Sequence, residues 1–101
     1  MKIIYCTCNV SVLDPLLKHF DSLNVESYQV IEQVTAKNIK GDNRFNTSVW
    51  PGYNSAVIMQ FTDDSKAKEV MESIKEFNGR AFNDNELVIA CSWTLDDFCS
   101  E

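Results

Sequence analysis

The chain has 101 residues, 45% of them hydrophobic, which is enough for one two-layer core and points to a single domain over 1–101. Lys and Arg total 9 against 15 Asp and Glu, and a net charge of −6 is the wrong sign for a protein that tracks nucleic-acid phosphates. The first residues lack the length and cleavage site of a signal peptide, and no stretch is long enough to span a bilayer, so the four cysteines read as reduced thiols of a cytoplasmic protein.

Residues Lys2 to Val10 are rich in β-branched, aromatic and Cys residues over a length too short for a helix, which predicts a first strand. Ser11 offers an N-cap hydroxyl, Pro15 falls in the opening turns, and Leu13, Leu16, Leu17, Phe20 and Leu23 recur at helical spacing. His19 on that helix, between Lys18 and Phe20, reads as an exposed polar position. A second strand begins after Asn24 and runs through Tyr28, Val30 and Val34; a third covers Ser55 to Thr62. Thr62, Asp63 and Asp64 open a second helix, whose apolar stripe is Ala67, Val70, Met71, Ile74 and Phe77. Asn78-Gly79 closes it, with Gly79 expected in the left-handed conformation. The near-continuous apolar run from Glu86 to Trp93 predicts a last strand that is central or covered on both faces.

Strand, helix, strand, strand, helix, strand is the split βαβ order of α+β ferredoxin-like domains, in which two helices cover one face of an antiparallel sheet. The other face, with Tyr5, Thr7, Ile31 and Gln33, is left to water unless another subunit covers it. The anomaly is the connection from about Thr35 to Asn54, far longer than compact domains usually carry. It combines Lys37, Lys40 and Arg44 with Phe45, Trp50 and Tyr53, a mixture suited to an anionic ligand or a partner protein, or to docking on a neighbouring subunit.

The strand–helix opening, the segment LNVESYQVIEQV, the long mid-chain loop and the return FNGRAFNDNELVIACS resemble the PII-like signalling proteins, relatives of the nitrogen-regulatory PII and CutA proteins. The resemblance covers nearly the whole chain. It implies a homotrimer that binds a small effector, such as a nucleotide, in clefts between subunits. It also implies a mobile T-loop that engages a target protein, often a membrane transporter or a metabolic enzyme. Carried onto this sequence, it implies a pocket edged by Lys37, Lys40 and Gly41 and by Gly79 and Arg80, with Arg44, Phe45, Trp50 and Tyr53 presenting the loop to the partner. Two departures stand out. The turn before the last strand is NGRAFNDNE, one Arg among acids and amides, which makes a poor phosphate cradle. Thr35 and Lys37 stand where the family has a glycine pair at the loop base.

A soft metal is the alternative. Cys6 and Cys8 project from one strand face, and Cys91 lies on the strand expected beside them, so three thiols could gather around Cu(I) or Zn(II). The plainer reading of these cysteines is a set of small core hydrophobes. Catalysis finds less support. The turn CNVSVLD lacks the Arg of an acylphosphatase nest, and the carboxylate pairs Asp63-Asp64 and Asp96-Asp97, adjacent in sequence, do not converge.

Overall fold

Burial alternates along Lys2–Asn9, with Ile4, Cys6 and Cys8 fully enclosed, and this period of two makes the segment a half-buried strand, β1. In the computed structural model, which describes residues 1–101, it is followed by α1 (Val10–Ser22), β2 (Gln29–Val34), β3 (Asn54–Phe61), α2 (Asp64–Asn78), a 3-10 turn (Asp84–Glu86) and β4 (Ile89–Thr94). The strands form one antiparallel sheet in the order β2-β3-β1-β4. This is the α+β, ferredoxin-like βαββαβ arrangement that the order of elements predicts.

Register assigns the faces. Ile4 sits opposite Met59 and Cys6 opposite Val57, and these side chains meet Leu16 and Phe20 of α1 and Val70 and Ile74 of α2 in one core. Each such side chain contributes about 1.5–3 kcal/mol of transfer free energy. Tyr5, Thr7, Ile31, Ile58, Ile89 and Trp93 alternate onto the other face, which no element of the chain covers. Ile31, Ile89 and Trp93 there remain 45%, 52% and 49% exposed.

Several local expectations change. β1 runs straight into α1, and the cap is Asn9, whose side chain accepts from the Ser11 amide at 3.2 Å, not Ser11 itself. β2 starts only at Gln29. Asn24 takes a left-handed turn with φ of 60°, and the Tyr28 hydroxyl is tied to Asp21 at 3.2 Å. Gly79 is right-handed, with φ of −63°, because the chain winds on through Arg80 and Ala81, whose amides reach the Phe77 and Asn78 carbonyls. The last strand begins three residues later than its apolar run, since Asn83 caps the 3-10 turn by accepting from the Asn85 amide. It also lies at the sheet edge rather than in the centre, so its outward apolar residues have no cover within the chain. His19 is not a solvated position either: it is half-buried, its ring packs 5.5 Å from that of Phe77, and its Nε2 finds no hydrogen-bond partner.

Candidate functional site

The long connection folds back on itself. β2 carries a bulge between Ile31 and Val34, and the Ser55 hydroxyl donates to the Glu32 carbonyl at 2.7 Å beside it. Beyond β2, Ala36 and Arg44 form a two-way backbone bridge, both bonds at 2.8 Å. A second closure joins the Asn46 amide to the Gly52 carbonyl at 2.8 Å, with the Trp50 amide bonded to Thr47 Oγ1 at the tip. Asn46 and Gly52 both take positive φ, which lets so tight a ribbon turn.

Between these closures and the 3-10 turn is a network of amides around one cation. Arg44 is 7% exposed. Its Nη1 donates to Asn54 Oδ1 at 3.0 Å, and its Nη2 donates to the Asn85 carbonyl at 3.3 Å and to Asn85 Oδ1 at 2.8 Å. Asn85 Oδ1 also accepts from the Asp42 amide, and Asn54 Nδ2 donates to Asn38 Oδ1. Every acceptor of the guanidinium is neutral: the chain's ion pairs are Met1–Asp64, Lys66–Glu69 and Lys75–Glu72, and none includes Arg44. A charge withdrawn from water without a counter-charge is costly even when hydrogen-bonded. The Nε of Arg44 has no acceptor in the chain.

Arg44 lines a cavity of 250 Å³ between the loop base, the end of β1 and the 3-10 turn. Thr7, Cys8, Asn9, Asn38 and Asn54 line it together with Ile39, Lys40, Asp84, Leu87 and Ile89. Burial pushes the Cys8 thiol up to about 11, and the charge of Arg44 opposes that shift, so the positive field of the guanidinium reaches the cavity wall. Gly41, with φ of 82°, is pressed against the 3-10 turn so closely that a Cβ would stand 2.6 Å from Asn85 Oδ1.

The residues anticipated for a ligand divide. Lys40 lines the cavity, Gly41 packs against Asp84 and Asn85 of the 3-10 turn, and Lys37 is exposed on the loop outside the lining. Gly79 and Arg80 are not brought to them, and Arg80 edges a separate hollow with Pro15, Phe77 and Glu86. Of the four residues assigned to partner contact, Phe45 and Trp50 are 38% and 40% exposed and Tyr53 is half-buried, but Arg44 is turned inward. The cavity adds Thr7, Asn38 and Asn54, and Arg44 adds Asn85 behind it; none of these belonged to a motif. Four Asn residues at 38, 43, 54 and 85, each flanking a loop or strand end, were the available signal.

The three cysteines do not form a metal site. Cys91 is paired with Tyr5, while Cys6 is paired with Ala90, so Cys91 projects from the open face and Cys6 and Cys8 from the helix face. No group of three His, Cys, Asp or Glu side chains is placed to hold a metal ion. Burial, then the neighbouring Cys8, raises the Cys6 thiol to about 12, the condition of an inert core thiol. No helix is long and apolar enough to cross a membrane.

No family model and no curated protein matches the sequence. Solved structures do. A PII-like signalling protein from Thermus thermophilus aligns with a TM-score of 0.61 at 14% identity, over 91% of this chain and 83% of that one. CPII from Thiomonas intermedia, bound to ADP and bicarbonate, aligns at 0.65 and 10% identity over 95% and 88% of the two chains. Its apo form aligns at 0.56 and 13% identity over 91% and 87%. At these identities the likeness establishes the fold: this chain has the architecture of the PII-like signalling proteins.

Proposed function

We propose that this chain, built on the PII-like fold, is a regulatory protein that binds a small anionic effector beside Arg44 and presents its long loop to a target protein. The observation that carries this is the placement of Arg44. It belongs to the loop, it is buried without a counter-ion, and its anchors lie on β3 (Asn54) and on the 3-10 turn (Asn85). An anion beside it supplies the missing charge and competes with those anchors, so occupancy changes how the loop base is held. CPII, of the same fold, is bound to ADP and bicarbonate, which supports an anionic effector here as well.

The uncovered sheet face supports a homotrimer. Ile89 belongs both to that face and to the cavity wall, so a neighbouring subunit would also close the effector site. Phe45 and Trp50, at the outer end of the ribbon, would meet the target, a membrane transporter or a metabolic enzyme. A regulator with buried free thiols at Cys6 and Cys8 belongs in the reducing cytoplasm.

Hydrogen exchange over residues 36–53 tests the reading, in the presence of bicarbonate, phosphate, short carboxylates, ADP and ATP in turn. Changed protection of the Ala36 and Arg44 amides by at least one of them is expected. Exchange that no anion alters would sink it.

A further inference from the structure

We infer that the Arg44 cavity is built for a small monocarboxylate with a hydrocarbon arm, and that it disfavours nucleotides and other polyanions. The inference rests on the effector reading above and names the chemical class of its ligand. Three observations carry it.

The first is charge. Lys40 and Arg44 face the cavity together with Asp84, leaving a formal charge of 2 − 1 = +1 on its wall. One negative charge balances that wall. A second would be held against the Asp84 carboxylate in a partly enclosed space, where like charges repel strongly.

The second is the geometry of the donors. Arg44 gives both Nη2 hydrogens to Asn85 and one Nη1 hydrogen to Asn54, so it keeps too few free N–H groups to cradle a phosphate chain. Most backbone N–H groups of the turn that would face phosphates are already committed. The Asn85 and Glu86 amides serve Asn83, and the Phe82 amide serves the Glu86 carboxylate at 2.8 Å. A phosphate chain would therefore meet mostly occupied donors and the Asp84 carboxylate.

The third is size and polarity. Within one subunit the cavity holds 250 Å³, below the range of about 300–1,000 Å³ that takes a drug-sized ligand such as a nucleotide, and a neighbouring subunit closing on it leaves less room. Its uncharged wall is Cys8, Leu87, Ile89 and Ile39 beside the polar Thr7, Asn9, Asn38 and Asn54. Ile39, which lines the cavity, is 97% exposed, an aliphatic side chain that gains burial if it closes on a ligand. A carboxylate on Arg44 puts the rest of the ligand against these side chains, and Ile39 gains burial by closing on it.

Calorimetric titration of the full chain with acetate, 3-methylbutanoate, phenylacetate, phosphate, ADP and ATP tests this. Affinity should rise from acetate to 3-methylbutanoate by about fourfold for each added buried CH₂, with phosphate and the nucleotides weaker. Arg44→Gln, with its melting temperature checked, should weaken 3-methylbutanoate at least about 30-fold. Ile39→Ser, on a fully exposed side chain that cannot unfold the protein, should flatten the dependence on chain length. Asp84→Asn should raise affinity for phosphate and ADP. Tight ADP or ATP binding with no carboxylate bound overturns the monocarboxylate inference and leaves the effector reading intact. Carboxylates that bind without chain-length dependence overturn it too, and a folded chain that binds none of these anions overturns both.

Discussion

The side-chain amide of Asn78, the last residue of α2, pairs with the backbone of Val88 as another strand would. Its Nδ2 donates to the Val88 carbonyl at 2.8 Å, and its Oδ1 accepts from the Val88 amide at 2.8 Å. The residues between them, 79 to 87, are closed into a loop whose 3-10 turn carries Asn85 to Arg44. Helix stop and site geometry are thus one feature.

Removing that pair should cost about 2 kcal/mol, from two lost hydrogen bonds at about 1 kcal/mol each. Asn78→Ala is expected to lower the urea midpoint accordingly, with Asn78→Asp close behind because a carboxylate cannot donate to the Val88 carbonyl. Denaturation curves decide it; an unchanged midpoint for Asn78→Ala would show the loop to be held elsewhere.

Two glycines with the same φ of 82° should respond differently to a methyl group. Gly52→Ala meets nothing within 4 Å and should cost roughly 1 kcal/mol for the left-handed backbone alone. Gly41→Ala also drives a Cβ to 2.6 Å from Asn85 Oδ1, the atom that accepts from Asp42 and Arg44, and should cost about 2–3 kcal/mol. Comparable losses at both positions would mean that Gly41 is not held against the 3-10 turn.

Alkali should unfold the protein through its core thiols. Folding raises Cys6 to about 12 and Cys8 to about 11 from the ordinary 9.0, chiefly by burial. Below pH 9 these thiols are protonated in both states and their contribution is complete. Above it the unfolded chain releases protons that the folded chain keeps, so stability falls as pH rises through 9 toward 11 and 12. Cys6→Ala/Cys8→Ala should show a shallower decline between about pH 8 and 11 than the parent. In the native state a thiol reagent should titrate Cys99, which is exposed, and reach Cys6 and Cys8 only on unfolding.

The open sheet face should be the assembly face. Ile31→Asp or Ile89→Asp places a charge on an apolar surface that the single chain leaves exposed, with little expected effect on the fold of the subunit. Light scattering should find the parent chain as a trimer and either variant as a monomer of unchanged circular dichroism. A monomeric parent would refute the assembly.

Much of the fold was legible in the sequence because its signals are local. The stripe Leu13, Leu16, Leu17, Phe20 makes a helix with one buried face wherever it is placed, and so does Ala67, Val70, Ile74; the order of elements then restricts the sheet to one economical topology. The length of the connection after Val34 marked it, on the same footing, as the place to look for a function. Tertiary structure decided the rest. Arg44 belongs to a basic, aromatic stretch that reads as solvent-facing; only Asn54, ten residues on, and Asn85, 41 residues on, turn it into a buried cation. Cys91 is separated from Cys6 and Cys8 by register, since pairing with Tyr5 instead of Cys6 moves a side chain to the opposite face. Periodicity within a segment fixes which residues share its face; where a loop docks and which residue a strand pairs with depend on contacts distant in sequence, and those set the chemistry of the site.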